Sequence, residues 1–139
     1  MKLELFIHFD GNCREALEFY SKVFKAPIND LMTYGDAPEN PDDPVPAADK
    51  HRIMYAGIPI GGMVVMFSDA PSDSGYVCGN NIVPTINIKD KDEITWLFNE
   101  LKEGGEVYFA LQKTFFSEYF GMVKDKFGVI WQLLQSTGA

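Results

Sequence analysis

The sequence predicts an α+β fold in which a strand–helix–three-strand unit, βαβββ, occurs twice. Two observations carry this prediction. A β-rich segment leads directly into a helical pattern of apolar residues at residues 3–24, and the same order returns at residues 82–101. Three strand-like segments follow each helical pattern. At this chain length folding buries about two-thirds of the unfolded surface, so we expect one domain built from two modules.

The first module opens with a predicted strand at residues 3–9. Asn12 and Glu15 have the spacing of a capping box, which predicts a helix starting after Asn12. Pro27 is expected to end this helix because proline cannot continue one. Further strands are predicted at residues 28–35, 53–60 and 63–67.

The second module repeats this order from a predicted strand at residues 82–88. Asp90 and Glu93 form a second capping-box pattern, and Gly104-Gly105 is expected to end the second helix. The remaining strands are predicted at residues 107–111, 119–124 and 129–134.

Glycines set the register between the two modules. Gly61-Gly62 and Phe127-Gly128 are predicted to form tight hairpins between the last two strands of each module. Placing Gly62 against Gly128 aligns Met66 with Gln132. The modules then span about residues 1–70 and 82–136, with a turn-rich linker at about 68–81.

An irregular segment at residues 36–50 holds four of the eight prolines and five acidic residues. Its proline density excludes regular structure and predicts an exposed loop. Two roles stay open for it, a solvated connector or a lid over a binding site.

Composition limits the partners and the compartment. A net charge of −8 repels nucleic acid and anionic membrane surfaces, so neither is expected as a partner. No apolar run reaches the length of a membrane span, and the N-terminal residues do not resemble a signal peptide. We therefore expect a cytoplasmic protein with Cys13 and Cys78 as free thiols. Cys13 stands at a helix start, which favours a thiolate, but no nearby group completes a nucleophilic site.

Several short motifs resemble a known family in combination. They are FDGNC (9–13), EALEFY (15–20), YGDAP (34–38), SDAP (68–71), GNN (79–81), LQ with TFF (111–116) and FGMVKDKFGV (120–129). With the duplicated βαβββ unit, these motifs resemble the PhnB-like branch of the vicinal oxygen chelate superfamily, the group of glyoxalase I, extradiol dioxygenases and bleomycin-resistance proteins. The resemblance implies a curved mixed sheet that forms a cup, with the helices packed outside, and a homodimer.

The resemblance also implies where metal ligands would lie. In the metal-using members they are His and Glu on the first and last strands of each module, and the last-strand positions fall here on Met66 and Gln132. The first-strand positions fall near residues 3–5 and 83–84, where no His occurs. His8 lies about three residues beyond the first of these. We therefore expect no metal and no cofactor.

The candidate ligand-binding residues are those expected to face the cup. Alternation along the last strand turns Gln132 toward the cup and Trp131 toward the helix layer. The full set of candidates is Gln132, Met66, Gln112, Thr114, Phe116 and His8.

Three classes of function stay open, and so does whether the protein is an enzyme; no catalytic residue is assigned. The leading interpretation is metal-free binding of an unknown small molecule in the cup. The alternative is a metal-dependent isomerase, lyase or dioxygenase of the glyoxalase type. A structural interaction module is the third, and it predicts a filled cup. Methyl transfer, which is sometimes attributed to relatives, lacks support because both glycine pairs have structural roles.

Overall fold

The computed structural model describes residues 1–136, and the chain forms two compact units, residues 1–77 (unit 1) and residues 78 onward (unit 2). Within the described part, each unit contains one four-stranded mixed sheet and one α-helix. The predicted α+β class and the repeated βαβββ order are therefore confirmed. No helix among residues 1–136 has the length and apolar character needed to cross a membrane.

Unit 1 follows the predicted order. Its elements are β1 (Phe6–Phe9), α1 (Cys13–Phe24), β2 (Asn29–Thr33), β3 (Ile53–Ile60) and β4 (Met63–Asp69). The sheet order is β1-β4-β3-β2, with β1 parallel to β4 and the other pairs antiparallel. Gly61 and Gly62, both at positive φ, connect β3 to β4, which confirms the first predicted hairpin.

The core of unit 1 is aromatic, and it forms where α1 covers one face of the sheet. Tyr20 of α1 stacks on Phe67 of β4 with ring centroids 5.4 Å apart, and Phe9 of β1 stacks on Phe67 at 6.3 Å. All three side chains are buried. Burial of this apolar area, rather than helix propensity, is what holds α1 against the sheet.

The start of α1 differs from the prediction. The Asn12 side chain makes no capping hydrogen bond, so the predicted capping box with Glu15 is wrong. The Oδ1 atom of Asp69 accepts hydrogen bonds from the Gly11 and Cys13 N–H groups at 2.8 and 3.0 Å instead. Its Oδ2 accepts from the Ile53 N–H at 2.9 Å. A buried carboxylate from β4 thus caps the helix.

The segment between β2 and β3 is largely irregular, as predicted. It contains two short 3-10 turns, Tyr34–Asp36 and Ala47–Asp49. The N–H groups of Tyr34 and Gly35 donate to Arg52 and Lys50 carbonyls and hold its two ends together.

Unit 2 repeats the topology. Its elements are β5 (Thr85–Ile88), α2 (Lys91–Lys102), β6 (Glu106–Gln112), β7 (Phe120–Lys124) and β8 (Ile130–Gln135). The sheet order is β5-β8-β7-β6, with β5 parallel to β8. Asp90 caps α2 by accepting a hydrogen bond from the Asp92 N–H at 2.9 Å, so half of the second predicted capping box is present.

The connection between β7 and β8 is longer than the tight hairpin predicted at Phe127-Gly128. The buried carboxylate of Asp125 organises this five-residue turn, residues 125–129. It accepts from the Phe127 and Val129 N–H groups at 2.8 and 3.1 Å and from the Trp131 indole N–H at 2.9 Å. The turn and the buried tryptophan of β8 are therefore fixed by one side chain.

The register predicted from the glycines is confirmed. Met66 of β4 lies opposite Phe6, the first residue of β1, and Gln132 of β8 lies opposite Thr85, the first residue of β5. The two residues therefore occupy equivalent places in the two units.

Candidate functional site

One face of the sheet in each unit is packed against the helix, and the opposite face is defined here as the open face. In β8 the side chains of Trp131 and Leu133 are buried, whereas Gln132 and Leu134 between and after them are half-buried. Side chains alternate along a strand, so Gln132 and Leu134 belong to the open face of unit 2. This agrees with the orientation predicted for Gln132.

A row of four side chains crosses the open face of unit 2 at Gln132. Residues directly opposite each other on neighbouring strands share a face, and the register places Thr85, Gln132, Met122 and Phe109 in one line across β5, β8, β7 and β6. Gln132 Oε1 accepts a hydrogen bond from Thr85 Oγ1 at 3.4 Å. Among residues 1–136 the Nε2 group of Gln132 has no protein acceptor and is available to a ligand.

The next row on this face brings in a second predicted residue. Asn87, Leu134, Phe120 and Gln112 lie opposite one another in turn across the same four strands. Gln112 is the last residue of β6, so it belongs to the strand that was predicted to end at residue 111. Its side chain is exposed and donates from Nε2 to the Ala110 carbonyl at 3.2 Å.

Phe116 joins this row by packing, while Thr114 does not. The Phe116 ring contacts the Phe120 ring edge to face, with centroids 5.0 Å apart. Thr114 instead closes a turn: its N–H donates to the Ser117 carbonyl at 2.8 Å, and its Oγ1 accepts from the Ser117 N–H at 3.1 Å. The structure thus groups Gln132, Gln112 and Phe116, and gives Thr114 a local structural role.

The two remaining candidates lie on the sheet of unit 1. Met66 stands between Phe6 and Gly57, its partners on β1 and β3. His8 lies opposite Ser68, and its ring stacks on Phe6 with centroids 4.8 Å apart. The edge of Tyr55 approaches the same Phe6 ring at 6.2 Å. Met66 and His8 are therefore neighbours of one aromatic group.

His8 is held by a buried hydroxyl. Its Nδ1 lies 2.8 Å from Ser68 Oγ, and Ser68 is only 2% exposed. Which of the two atoms donates depends on the tautomer of the imidazole. In either case the bond fixes the orientation of the His8 ring against the sheet.

The last-strand positions that would carry metal ligands hold a thioether and an amide, and the first-strand positions expected near residues 3–5 and 83–84 include the carboxylate of Glu4 but no His. Met66 and Phe6 face each other in unit 1, and Gln132 and Thr85 face each other in unit 2. In residues 1–136 no three His, Cys, Asp or Glu side chains are grouped closely enough to hold a metal ion. Zinc, for example, prefers thiolate, imidazole and carboxylate ligands.

Cys13 is not an activated nucleophile. Burial raises the pKa of its thiol well above the ordinary range, and the Asp69 carboxylate raises this pKa further. These effects outweigh the favourable place at the start of α1. Both cysteines are free thiols as predicted, and Cys78 is exposed.

The irregular segment of unit 1 encloses a cavity of about 300 Å³ lined mainly by its own residues, among them Tyr34, Pro38 and Lys50. A second hollow of about 220 Å³ adjoins Asp49. The Ser72 hydroxyl donates to Asp49 Oδ2 at 2.9 Å and lowers the pKa of Asp49. The buried Oδ1 of Asp49 lacks a hydrogen bond and faces Arg52 Nε at 3.5 Å, which makes Asp49 an internal anchor of the segment.

The sequence does not predict the aromatic side chains around the candidates. Phe120 lies opposite Gln112 and Phe6 lies opposite Met66. Phe109 and Tyr55 form a second layer, because Phe109 contacts Phe120 and Tyr55 contacts Phe6. The cross-strand register depends on strand order and on bulges, which the sequence does not show.

A family model and a curated protein are similar to this chain over nearly its full length. A family model described as 3-demethylubiquinone-9 3-methyltransferase matches residues 1–134. The curated protein YjdN of Escherichia coli K12 is 29% identical over 140 residues, covering 96% of this chain and 94% of that protein.

Two solved bacterial structures are also similar to this chain over nearly its full length. The crystal structure of PA1353 from Pseudomonas aeruginosa has a TM-score of 0.87 with 33% identity, and 98% of each chain is covered. A structure from Bacillus cereus described as a putative 3-demethylubiquinone-9 3-methyltransferase, PhnB protein, has a TM-score of 0.78 with 24% identity, covering 98% of this chain and 100% of that one.

The fold extends to more distant proteins. A glyoxalase/bleomycin resistance protein/dioxygenase family enzyme from Burkholderia phytofirmans has a TM-score of 0.60 with 13% identity, and 95% of each chain is covered. At that identity the likeness concerns the fold alone.

Proposed function

The chain belongs to the family described as 3-demethylubiquinone-9 3-methyltransferase, and from that premise we propose that it binds a small organic molecule, without a metal, on the open face of unit 2. The observation that supports this most directly is the row Thr85, Gln132, Met122 and Phe109. It combines apolar area with an amide whose Nε2 is available for a hydrogen bond. Binding sites for small molecules have this composition, with apolar walls and a few placed polar groups.

The rows on this face carry no formal charge. Gln132, Gln112, Thr85 and Asn87 are neutral hydrogen-bonding residues, and the others are apolar. Such a face binds a ligand by area and by directed hydrogen bonds rather than by ion pairing. The overall charge of −8 would then affect the rate of encounter with a charged ligand more than the affinity of the complex.

No feature of residues 1–136 favours methyl transfer or metal-dependent chemistry. The Gly61-Gly62 pair joins β3 to β4 in a hairpin instead of opening a helix, as the glycine-rich turn of a nucleotide site does. Metal-dependent isomerisation or oxygenation would require ligands at the positions of Met66 and Gln132, where a thioether and an amide stand instead.

The proposal is tested by screening uncharged aromatic and aliphatic fragments against isotope-labelled protein by NMR. We expect shifts that concentrate on the residues of the two rows and affinities that are unchanged by EDTA. Gln132→Leu should weaken binding about tenfold, the effect of one directed hydrogen bond. Met66→Leu, at the equivalent place in unit 1, is the matched control. Binding that requires an added divalent metal, or that leaves Gln132→Leu unaffected, would refute the proposal.

A further inference from the structure

We propose that the open face of unit 2 selects a flat, uncharged aromatic molecule, and that four phenylalanines make this selection. This inference rests on the proposed function and specifies its ligand class. The four residues, defined here as the phenylalanine ladder, are Phe109, Phe120, Phe116 and Phe115. Phe116 is the one member of the ladder that was predicted from the sequence as a ligand-binding residue, and the structure identifies the other three.

The rings of the phenylalanine ladder meet edge to face in sequence. Phe109 and Phe120 have centroids 5.5 Å apart at an interplanar angle of 65°, and Phe116 meets Phe120 at 5.0 Å and 77°. Phe115 meets Phe116 at 5.2 Å and 87°. Each contact is in the favourable range for aromatic pairs. The ladder therefore presents ring faces and ring edges with which a further flat ring can form the same contact.

The outer end of the ladder is fixed before any ligand binds. Phe115 and Phe116 lie in the turn that Thr114 and Ser117 close with reciprocal hydrogen bonds. Ser117 is 4% exposed, and its Oγ lies 2.9 and 3.1 Å from the carbonyl oxygens of Tyr119 and Gln135, which share its single proton. Because this network already orders the turn, its backbone loses little conformational entropy when a ligand contacts its side chains.

The ladder is also unusually accessible for phenylalanine. Phe109 is 38% exposed, Phe116 is 49% exposed, and Phe115 is fully exposed, while Phe120 anchors them in the sheet. A contiguous apolar patch of this kind on a soluble chain marks a surface for interaction. Because the patch continues into Gln112 and Gln132, a small ligand with a hydrogen-bonding edge fits it.

Charges around the ladder occur in opposite pairs. Lys113 Nζ lies 3.6 Å from Glu118 Oε2 beside the turn, and Lys124 lies opposite Glu106 at the far end of the sheet. Neither pair leaves an excess charge to select an ionic ligand. The face therefore offers no unpaired positive charge to an aromatic anion and favours an uncharged ring over it.

Three probes with related skeletons test this selection. 2-Naphthol is flat, aromatic and uncharged at neutral pH, decahydro-2-naphthol has the same skeleton without aromatic rings, and 2-naphthalenesulfonate is aromatic but anionic. Their affinities are measured by NMR titration of the full chain. We expect 2-naphthol to bind about fivefold to tenfold more tightly than decahydro-2-naphthol, which corresponds to one or two aromatic contacts. The sulfonate should bind more weakly than 2-naphthol.

Matched variants locate the effect. Phe109→Leu and Phe116→Leu should each reduce the affinity for 2-naphthol severalfold and leave that for decahydro-2-naphthol nearly unchanged. Phe6→Leu is the control, because Phe6 has the same 38% exposure as Phe109 but belongs to unit 1. Dispersion of the amide spectrum shows that each variant remains folded.

The outcomes separate this inference from the proposed function. Equal affinities for the aromatic and saturated probes, or tighter binding of the sulfonate, would overturn the ligand class. The same conclusion follows if none of the three probes binds while other uncharged fragments bind in a Gln132-dependent manner, and the proposed function then stands. If no fragment shifts the open face of unit 2, both are refuted.

Discussion

Replacing Asp69 by asparagine is expected to destabilise unit 1 strongly, although the two side chains have nearly the same size. The carboxylate is 1% exposed and accepts three backbone hydrogen bonds, from Gly11, Cys13 and Ile53. In the variant an amide NH₂ takes the place of one oxygen. If Oδ1 keeps its two partners, the Ile53 N–H faces another donor and loses its acceptor.

The magnitude follows from the hydrogen bonds. A hydrogen bond to a charged group contributes about 1.5–3 kcal/mol and a neutral one about 1 kcal/mol, so the two retained bonds lose about 1 kcal/mol each. An unsatisfied buried N–H costs about 1–3 kcal/mol more. Removing a buried negative charge relieves part of its desolvation penalty. We expect a net loss of about 3 kcal/mol in the free energy of unfolding.

Urea unfolding measures the total loss, and hydrogen exchange of the Ile53 amide measures the local one. Asp10→Asn is the control: Asp10 is half-exposed and accepts from Arg52 Nη1 at 3.0 Å, so its loss should cost less than about 1 kcal/mol. Equal stabilities of the two variants, or an Ile53 amide that stays protected in Asp69→Asn, would refute this account of how α1 is held.

Three further predictions concern single positions. Gly105→Ala should destabilise unit 2 by several kcal/mol in urea unfolding, because the new Cβ would overlap the Lys124 carbonyl oxygen. Gly79→Ala is the control and should be nearly neutral, since its new Cβ would meet only the Asn81 side chain at 3.4 Å. A thiol reagent should modify one cysteine in the native state, and Cys78→Ser should abolish this reaction, since Cys13 is buried. The depressed pKa of Asp49 implies stability that is present above the ordinary pKa of 3.8 and lost as pH falls through the lower folded-state pKa. Ser72→Ala, which removes the main cause, should therefore flatten the fall in unfolding free energy below about pH 4, and an unchanged slope would contradict this.

Much of the fold is predictable because it depends on local patterns. The strand at residues 53–60 agrees with β3 at both ends, and the register of Met66 with Gln132 is confirmed by the pairing of β1 with β4 and of β5 with β8. The family is confirmed by the family model over residues 1–134, and the likeness to glyoxalase-type proteins holds for the fold. The cap of α1 was predicted wrongly because the residue that accepts the hydrogen bonds there, Asp69, is distant in sequence from the start of the helix.

The candidate site was less predictable for a related reason. Gln132 could be assigned to a face by alternation within one strand, whereas Phe109 joins its row only through strand order and the register shifts in β6. Phe120 joins the next row through the pairing of β7 with β8. Thr114 shows a second limit of prediction from sequence. A polar residue beside aromatic residues can either line a binding site or close a turn, and the sequence does not distinguish the two roles. The roles of all six candidates in ligand binding, and the expected homodimer, stay predictions.

The hydrogen bonds of Asp69 at the start of α1 also affect whether the last strands of the two units could replace each other. By the register of Met66 with Gln132, Asp69 corresponds to Gln135, and both side chains join the last strand to the segment after the first strand. Their polarity is reversed: Asp69 accepts from the Gly11 N–H, whereas Gln135 Nε2 donates to the Lys89 carbonyl at 2.8 Å. An aspartate at the place of Gln135 would set a carboxylate against the Lys89 carbonyl, whereas a glutamine at the place of Asp69 could still present its amide oxygen to an N–H. The exchange is therefore unfavourable in one direction, although the two halves keep one topology.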